Sequence, residues 1–255
     1  MQDLCDLNER VAVVTGASSG LGVQFARALA RYKARVALVA RREEKLKKVQ
    51  KEIEKTGISC RYYPTDVSDS AQVEKAVFGI KKDFGRIDIL VNNAGTATIE
   101  PTEEHSLSSW EKVLNVNLTG VFLFTRFAGR EMIKQKYGRI INISSMYGAV
   151  GNRFIPASSY HASKGAVNTF TRAVAAEWAK FNITVNTIGP GFFTSEMTED
   201  LVGDTEFSQF VRQQCPMERI GREGELDGAL LLFASDACSY ITGQVLYVDG
   251  GWTSV

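Results

Sequence analysis

A tyrosine and a lysine four residues apart, Tyr160 and Lys164 in the stretch Tyr-His-Ala-Ser-Lys, are the side chains of this sequence best suited to proton transfer. On a helix, residues four apart share a face and their side chains meet. An ordinary tyrosine has a pKa of about 10 and is no base near neutrality. A nearby ammonium favours the phenolate and lowers that value. A drop of about 3 units requires about 4 kcal/mol of differential stabilisation, within reach of a buried lysine aided by a second positive charge.

Chemistry of this kind needs elements that hold the pair against a reacting group. Residues 11–14, Val-Ala-Val-Val, read as a buried strand. Thr15-Gly16-Ala17-Ser18-Ser19-Gly20-Leu21-Gly22 follows at once, and Val23, Phe25, Ala26, Leu29 and Ala30 then fall at helical spacing. A strand, a glycine-rich turn and a helix N-terminus let bare backbone and unpaired N–H groups approach a pyrophosphate. The spacing is Gly-x-x-x-Gly-x-Gly, wider between the first two glycines than the common dinucleotide fingerprint. The second strand, 35–40, is followed by Arg41 and Arg42, with no acidic residue at the strand end. An acid there would hold a ribose 2′-hydroxyl, and an arginine accommodates a 2′-phosphate, so the sequence favours NADP(H) over NAD(H).

Further strands read at 58–63, followed by Asp66 and Val67 where an adenine would lie, then at 87–91, 139–143, 183–188 and 244–248. Asn92-Asn93-Ala94-Gly95 makes a turn after the fourth of them. A long amphipathic helix spans 110–132 with Asn117 inside it, a polar amide either satisfied by backbone or holding a water. Ser144 and Ser145 stand at the carboxyl end of the fifth strand, where ligands bind in open α/β sheets. The helix carrying Tyr160 and Lys164 runs from about 159 to 181. Two short helices fit 192–222, another spans about 224–235, and Asp249-Gly-Gly-Trp252 follows the last strand. Seven strands with intervening helices give one doubly wound α/β Rossmann domain over 1–255, a parallel sheet with helices on both faces.

Composition excludes other classes. The chain has 255 residues, with 44% hydrophobic and 23% charged residues and a formal net charge of +1, so no basic footprint points to nucleic acid or an anionic membrane. Cys5, Cys60, Cys215 and Cys238 are scattered without a Cys-x-x-Cys pair, and His105 and His161 are far apart, so no metal site is expected. The N-terminal residues lack a signal-peptide pattern and no apolar run is long enough to span a membrane. A cytoplasmic enzyme is expected.

Taken in this order, Thr15-Gly16-x-x-x-Gly20-x-Gly22, Asn92-Asn93-Ala94-Gly95, Asn117, Ser145, Tyr160-x-x-x-Lys164 and Pro190-Gly191-x-x-Thr194 resemble the short-chain dehydrogenase/reductase family over essentially the whole chain. The resemblance implies a catalytic tetrad of Asn117, Ser145, Tyr160 and Lys164. It implies hydride transfer between a nicotinamide dinucleotide and a carbonyl or secondary alcohol of a small molecule. Tyr160 would pass the proton, Ser145 would hydrogen-bond the substrate oxygen, Lys164 would hold the nicotinamide ribose, and Asn117 would keep a water leading to solvent. Gly16, Ser18, Ser19, Gly20, Leu21, Gly22, Arg41, Arg42, Asp66, Val67, Asn93, Ala94, Gly95, Tyr160, Lys164, Pro190, Gly191, Phe193 and Thr194 are the expected cofactor residues. Ser145, Tyr160, Phe154 and Met197 are the expected substrate contacts, with 192–222 as a lid. A homotetramer is also implied.

Within the family, Ile188-Gly-Pro-Gly-Phe-Phe-Thr194, Ala234-Ser-Asp-Ala237 and Leu246-Tyr-Val-Asp-Gly-Gly251 are similar to gluconate 5-dehydrogenases and 3-oxoacyl-carrier-protein reductases. The segment after Asn-Asn-Ala-Gly, Thr96-Ala-Thr-Ile-Glu100, lacks the basic residues that suit a sugar-acid carboxylate, and Arg153 in the lengthened stretch before Tyr160 is the candidate to replace them. Phe154, Phe192, Phe193 and Met197 also fit a hydroxysteroid-type dehydrogenase with a bulky apolar substrate. A dinucleotide sensor without turnover is the reading from another class, but it would need none of Ser145, Tyr160 and Lys164.

Overall fold

The computed structural model describes residues 5–194 and 205–255. In chain order its strands and helices are β1 (Val11–Thr15), α1 (Gly20–Arg31), β2 (Arg35–Ala40), α2 (Glu43–Glu54), β3 (Cys60–Pro64), α3 (Ser70–Phe84), β4 (Ile89–Asn92), α4 (Leu107–Leu114), α5 (Gly120–Gln135), β5 (Gly138–Ile143), α6 (Ser158–Trp178), β6 (Ile183–Pro190), α7 (Thr205–Gln214), α8 (Asp227–Ala234) and β7 (Val245–Val248). The strands form one seven-stranded sheet in the order β3-β2-β1-β4-β5-β6-β7, every pair parallel.

Strand periodicity of two sends alternate side chains to opposite faces. Ala12 and Val14 of β1 join Leu38, Ile89 and Val91 in the core that α1, α2 and α8 cover. Val11 and Val13 join Val39, Leu90 and Ile140 in the other, under α3, α5 and α6. Burial on both faces explains why the strands read as unbroken apolar runs. Helix ends follow local chemistry. Asp69 accepts from the N–H groups of Ala71 and Gln72 to start α3, and Gly85, at φ 78°, ends it in the left-handed region.

The chain reverses its direction across the sheet between β1 and β4, so the carboxyl ends of those strands flank a crevice. Thr15, Asn92, Ile143 and Pro190 end their strands at this edge. Two expectations are corrected. The helix over 110–132 is broken: α4 and α5 are joined by a π-helical turn, Asn115–Thr119, because the buried Asn117 is tied sideways to its neighbours. The helix to Phe181 ends as α-helix at Trp178 and tightens to a 3₁₀ turn, Ala179–Phe181, before the left-handed Asn182. Smaller shifts move the start of β3 to Cys60 and extend β6 to Pro190. Of the two short helices expected in 192–222, α7 is one. Residues 195–204, including Met197, lie outside the described residues.

Candidate active site

β1 delivers the glycine turn. Gly16 and Gly20 adopt positive φ, 67° and 52°, where a side chain is strained. Gly22 has a different reason: a Cβ there would stand 2.2 Å from the Gly16 carbonyl oxygen and 2.7 Å from Asn93 Nδ2. Thr15 and Asn93 lock this turn to the next strand. Asn93 Nδ2 donates to the Thr15 carbonyl at 2.9 Å, and Thr15 Oγ1 accepts from the N–H groups of Asn93 and Ala94. The α1 N-terminus begins at Ser19, whose side chain makes no capping bond, so its first N–H groups are left for a ligand.

Arg42 crosses to the same loop. Its guanidinium donates to Ser18 Oγ from Nε (3.2 Å) and Nη2 (3.1 Å), and to Ser19 Oγ at 2.6 Å. Arg41 instead faces Asp66, 4.0 Å away, and is largely exposed. Burial works to raise the Asp66 carboxyl, but the Ser68 hydroxyl and N–H, with Arg41, hold it below its ordinary value.

A cleft of about 440 Å³ runs from this loop to α6, walled by Gly16, Ser18 to Leu21, Arg41, Arg42, Asp66, Val67, Asn93 to Gly95, Pro190, Gly191 and Phe193 on the way to Ser145, Tyr160 and Lys164. The donor set fits a phosphorylated dinucleotide: bare backbone and a helix N-terminus for the diphosphate, and a guanidinium beside two hydroxyls for a further phosphate. Gly22 and Thr194 are the expected cofactor residues that do not wall the cleft. Gly22 packs beneath Gly16, and Thr194 is exposed.

At the far end β5 hands over two serines with different duties. Ser144 Oγ donates to the Lys164 carbonyl at 2.9 Å and is thereby committed to the α6 backbone. Ser145 caps the short turn Met146–Gly148, its Oγ accepting from Tyr147 N–H at 3.2 Å, and walls the cleft with Tyr160. Tyr160 and Lys164 share a face of α6, with Lys164 Nζ 5.5 Å from the Tyr160 ring centroid. Lys164 is buried, its Nζ donates to the Ile143 carbonyl at 2.8 Å, and burial pushes it down to about 8. The expected lowering of Tyr160 is not found. Burial, the larger influence, raises the phenol, and the Ser145 hydroxyl opposes it only in part. The ammonium lies over the ring and is itself anchored to β5, which blunts its pull on the phenol oxygen.

Asn117 is fully buried in the π turn. Its Oδ1 accepts from Thr96 N–H at 2.8 Å, and its Nδ2 donates to the Thr96 carbonyl and to Ser163 Oγ. Of the two sequence readings, backbone satisfaction holds. A Cβ on Gly95 would stand 3.5 Å from Asn117 Oδ1 and 3.6 Å from Lys164 Nζ, so both polar atoms border the same small space.

The mouth departs furthest from expectation. Phe154 does not wall the cleft; its ring packs on Phe210 with centroids 4.7 Å apart, and the Arg153 guanidinium lies over the same ring. Ile155 and Ala157 form the wall there, with Ala97, Ile99, Met146, Tyr147 and Phe192. Sequence reading named Phe192 as a contact for an apolar substrate and missed the others. Only Met146 and Tyr147, directly after Ser145, carried a positional signal.

Comparison with known proteins agrees with this geometry. The family model for short chain dehydrogenase matches residues 10–206. Gluconate 5-dehydrogenase of Gluconobacter oxydans (strain 621H) is 39% identical over 98% of this chain and 97% of its own length. Galactitol 2-dehydrogenase (L-tagatose-forming) of Cereibacter sphaeroides is 39% identical over 97% and 96%. Among solved structures, a gluconate 5-dehydrogenase from Burkholderia cenocepacia J2315 in complex with NADP and tartrate superposes with a TM-score of 0.95, at 36% identity, over 99% of this chain and 98% of that one. The chain belongs to the short-chain dehydrogenase family. It is an oxidoreductase of the class that uses NAD(P) and acts on CH–OH groups of small molecules. Among the described residues no helix is long and apolar enough to cross a membrane.

Proposed function

We propose that this enzyme interconverts a ketone and a secondary alcohol with NADP(H) as the preferred cofactor. The observation that carries the reading is that Ser145, Tyr160 and the buried Lys164, its Nζ held by the Ile143 carbonyl, wall one cleft at the carboxyl edge of the sheet. The bound dinucleotide supplies or accepts the hydride. Gly16, Ser18 to Leu21, Asp66, Val67, Asn93 to Gly95, Pro190, Gly191 and Phe193 would hold it, with Lys164 at its nicotinamide ribose.

In reduction Tyr160 gives its proton to the substrate oxygen as the carbonyl becomes an alcohol, and Ser145 donates a hydrogen bond to the same oxygen as charge develops. In oxidation Tyr160 takes the proton back. The space bordered by Asn117 and Lys164 gives the proton a path for replacement. The NADP preference is supported by the Arg42 fork on Ser18 and Ser19, in line with NADP in the Burkholderia structure. Residues 192–222 serve as the lid of a single domain over 1–255, in a cytoplasmic homotetramer to which Phe122, exposed on α5 and edge-on to Phe170 of α6, offers an apolar contact. The gluconate-type and polyol-type relatives support a small oxygenated substrate over a steroid.

The test is cofactor oxidation followed at 340 nm with NADPH and NADH, using neutral ketones and 5-ketogluconate. Tyr160→Phe should lose at least ~1,000-fold in kcat with NADPH affinity changed only a few-fold. Arg42→Ala should raise KM for NADPH ~10- to 100-fold and leave NADH nearly unchanged. Full activity in Tyr160→Phe would overturn the proton role, and equal effects on the two cofactors would overturn the phosphate role.

A further inference from the structure

The cleft changes character along its length. Around Ser18, Arg41 and Arg42 it is polar and cationic. Where Ser145 and Tyr160 meet, its walls are Ala97, Ile99, Met146, Ile155, Ala157 and Phe192. These come from separate segments that brace one another. Glu100 N–H donates to the Pro156 carbonyl at 2.9 Å, joining the stretch after β4 to the one before α6. Phe192, after β6, stands edge-on to Tyr147 with centroids 6.0 Å apart, and packs in turn on Phe207 of α7 and on Trp252.

Charge distinguishes the two ends. Among the described residues walling the cleft, the charged side chains are Arg41, Arg42, Asp66 and Lys164. Arg42 is bound to Ser18 and Ser19, and Arg41 faces Asp66, all at the glycine-loop end. Lys164 is buried with its Nζ on the Ile143 carbonyl. Arg153 is exposed, its guanidinium 4.8 Å over the Phe154 ring and outside the walls of the cleft. In sequence the charged residues of 195–204 are Glu196, Glu199, Asp200 and Asp204, all acids. The polar handle at this end is neutral: the Tyr147 hydroxyl, hydrogen-bonded to the Asn152 amide, whose Oδ1 accepts from Phe154 N–H at 2.7 Å. A carboxylate placed against these walls would shed its hydration and gain no cation in return. A neutral ketone would bury apolar surface at no such cost.

We propose that the substrate is a neutral ketone or secondary alcohol whose carbon substituents lie against Ile99, Ile155 and Phe192, with one uncharged hydrogen-bonding group at Tyr147. Keto acids and aldonic acids are discriminated against. The proposal rests on the hydride-transfer reading of the same site.

Matched pairs on one carbon skeleton isolate the charge: ethyl acetoacetate against acetoacetate, and ethyl levulinate against levulinate, with cyclohexane-1,2-dione and 5-ketogluconate added. Each is assayed with NADPH and with NADH. The ester of each pair should exceed its acid in kcat/KM by at least ~100-fold, and cyclohexane-1,2-dione should outpace 5-ketogluconate. Ile99→Arg, checked for folding by its melting temperature, should narrow the ester-to-acid ratio at least ~10-fold, chiefly by lowering KM for the acids. Acids turned over within ~10-fold of their esters would overturn the proposal, as would an unchanged ratio in a folded Ile99→Arg. Turnover of acids alone would overturn it and leave the hydride-transfer reading standing. Cofactor oxidation by none of the compounds would overturn both.

Discussion

Lys164 should stabilise the enzyme less than its burial suggests, and replacing it by methionine should make the protein more stable at neutral pH. The side chain is 4% exposed. Burial takes its pKa from 10.5 to about 8. That difference corresponds to about 3 kcal/mol spent on keeping the ammonium charged in the fold. Methionine keeps most of the apolar stem and removes the charge, but it forfeits the bond to the Ile143 carbonyl, worth about 1 kcal/mol. Lys164→Met should therefore be more stable than the wild type by about 2 kcal/mol at pH 7.

The pH dependence follows from the direction of the shift. Below about pH 8 the lysine is charged in both states, and the fold bears the whole cost. Between about 8 and 10.5 the unfolded chain holds a proton that the folded chain has released, so wild-type stability rises with pH across that window. The advantage of Lys164→Met should shrink through the window and reverse to a deficit of about 1 kcal/mol at its upper end. Urea unfolding of both proteins at pH 7 and pH 10, at equal protein concentration and without cofactor, reads this through Trp110, Trp178 and Trp252. A variant less stable than wild type at pH 7, or a difference independent of pH, would refute the reasoning.

Two other outcomes are expected. With the Tyr160 phenol raised by burial, alcohol oxidation should climb about tenfold per pH unit between pH 7 and 9, while carbonyl reduction stays level up to about pH 8, where Lys164 titrates; initial rates in the two directions across that range check this. Asn117→Ala leaves the half-buried N–H and carbonyl of Thr96 without their partner and takes one donor from Ser163 Oγ, which keeps its bond to the Tyr160 carbonyl, so it should cost about 1–3 kcal/mol in urea unfolding. It should also raise substrate KM, because Thr96 leads directly into Ala97 and Ile99 of the cleft wall.

The legible parts of this fold were those set by local rules. Strands buried on both faces show as apolar runs, and the turn from Gly16 to Gly22 shows because a Cβ at either end would strike backbone within 3 Å. The carboxyl edge of the sheet then placed Ser145, Tyr160 and Lys164 near one another before any coordinate was known. What stayed hidden depended on where long side chains turn. Arg41 and Arg42 are adjacent in sequence, yet only Arg42 forks onto Ser18 and Ser19, because consecutive residues leaving a strand face opposite ways. Ser144 and Ser145 divide by the same alternation: the Ser144 hydroxyl is spent on the Lys164 carbonyl of α6, while that of Ser145 caps the turn that follows β5. Phe154 looked like a substrate contact by its type and place in the chain, but Phe210, 56 positions later in sequence, takes its ring.

The raised phenol and lowered ammonium have one common origin. Both groups sit under the same roof of α6 and β5, and burial penalises whichever form carries charge, so it pushes an acid up and a base down. From ordinary values of 10 and 10.5 the two shifts drive the groups apart, with the lysine, at about 8, the first of the pair to lose its proton. A Tyr160–Lys164 pair with one proton too few therefore keeps the phenol protonated and the lysine neutral, and burial opposes moving the phenol proton onto the lysine, because that transfer creates two charges. The four-residue spacing supplies proximity, but the order in which the two groups titrate comes from the depth at which they are held. The Ser145 hydroxyl is the influence that opposes the rise of the phenol. A substitution that let water reach Lys164 without touching either residue, such as Asn117→Ala opening the Thr96 contact, should raise the lysine back toward its ordinary value and move the end of the level range of carbonyl reduction above pH 8.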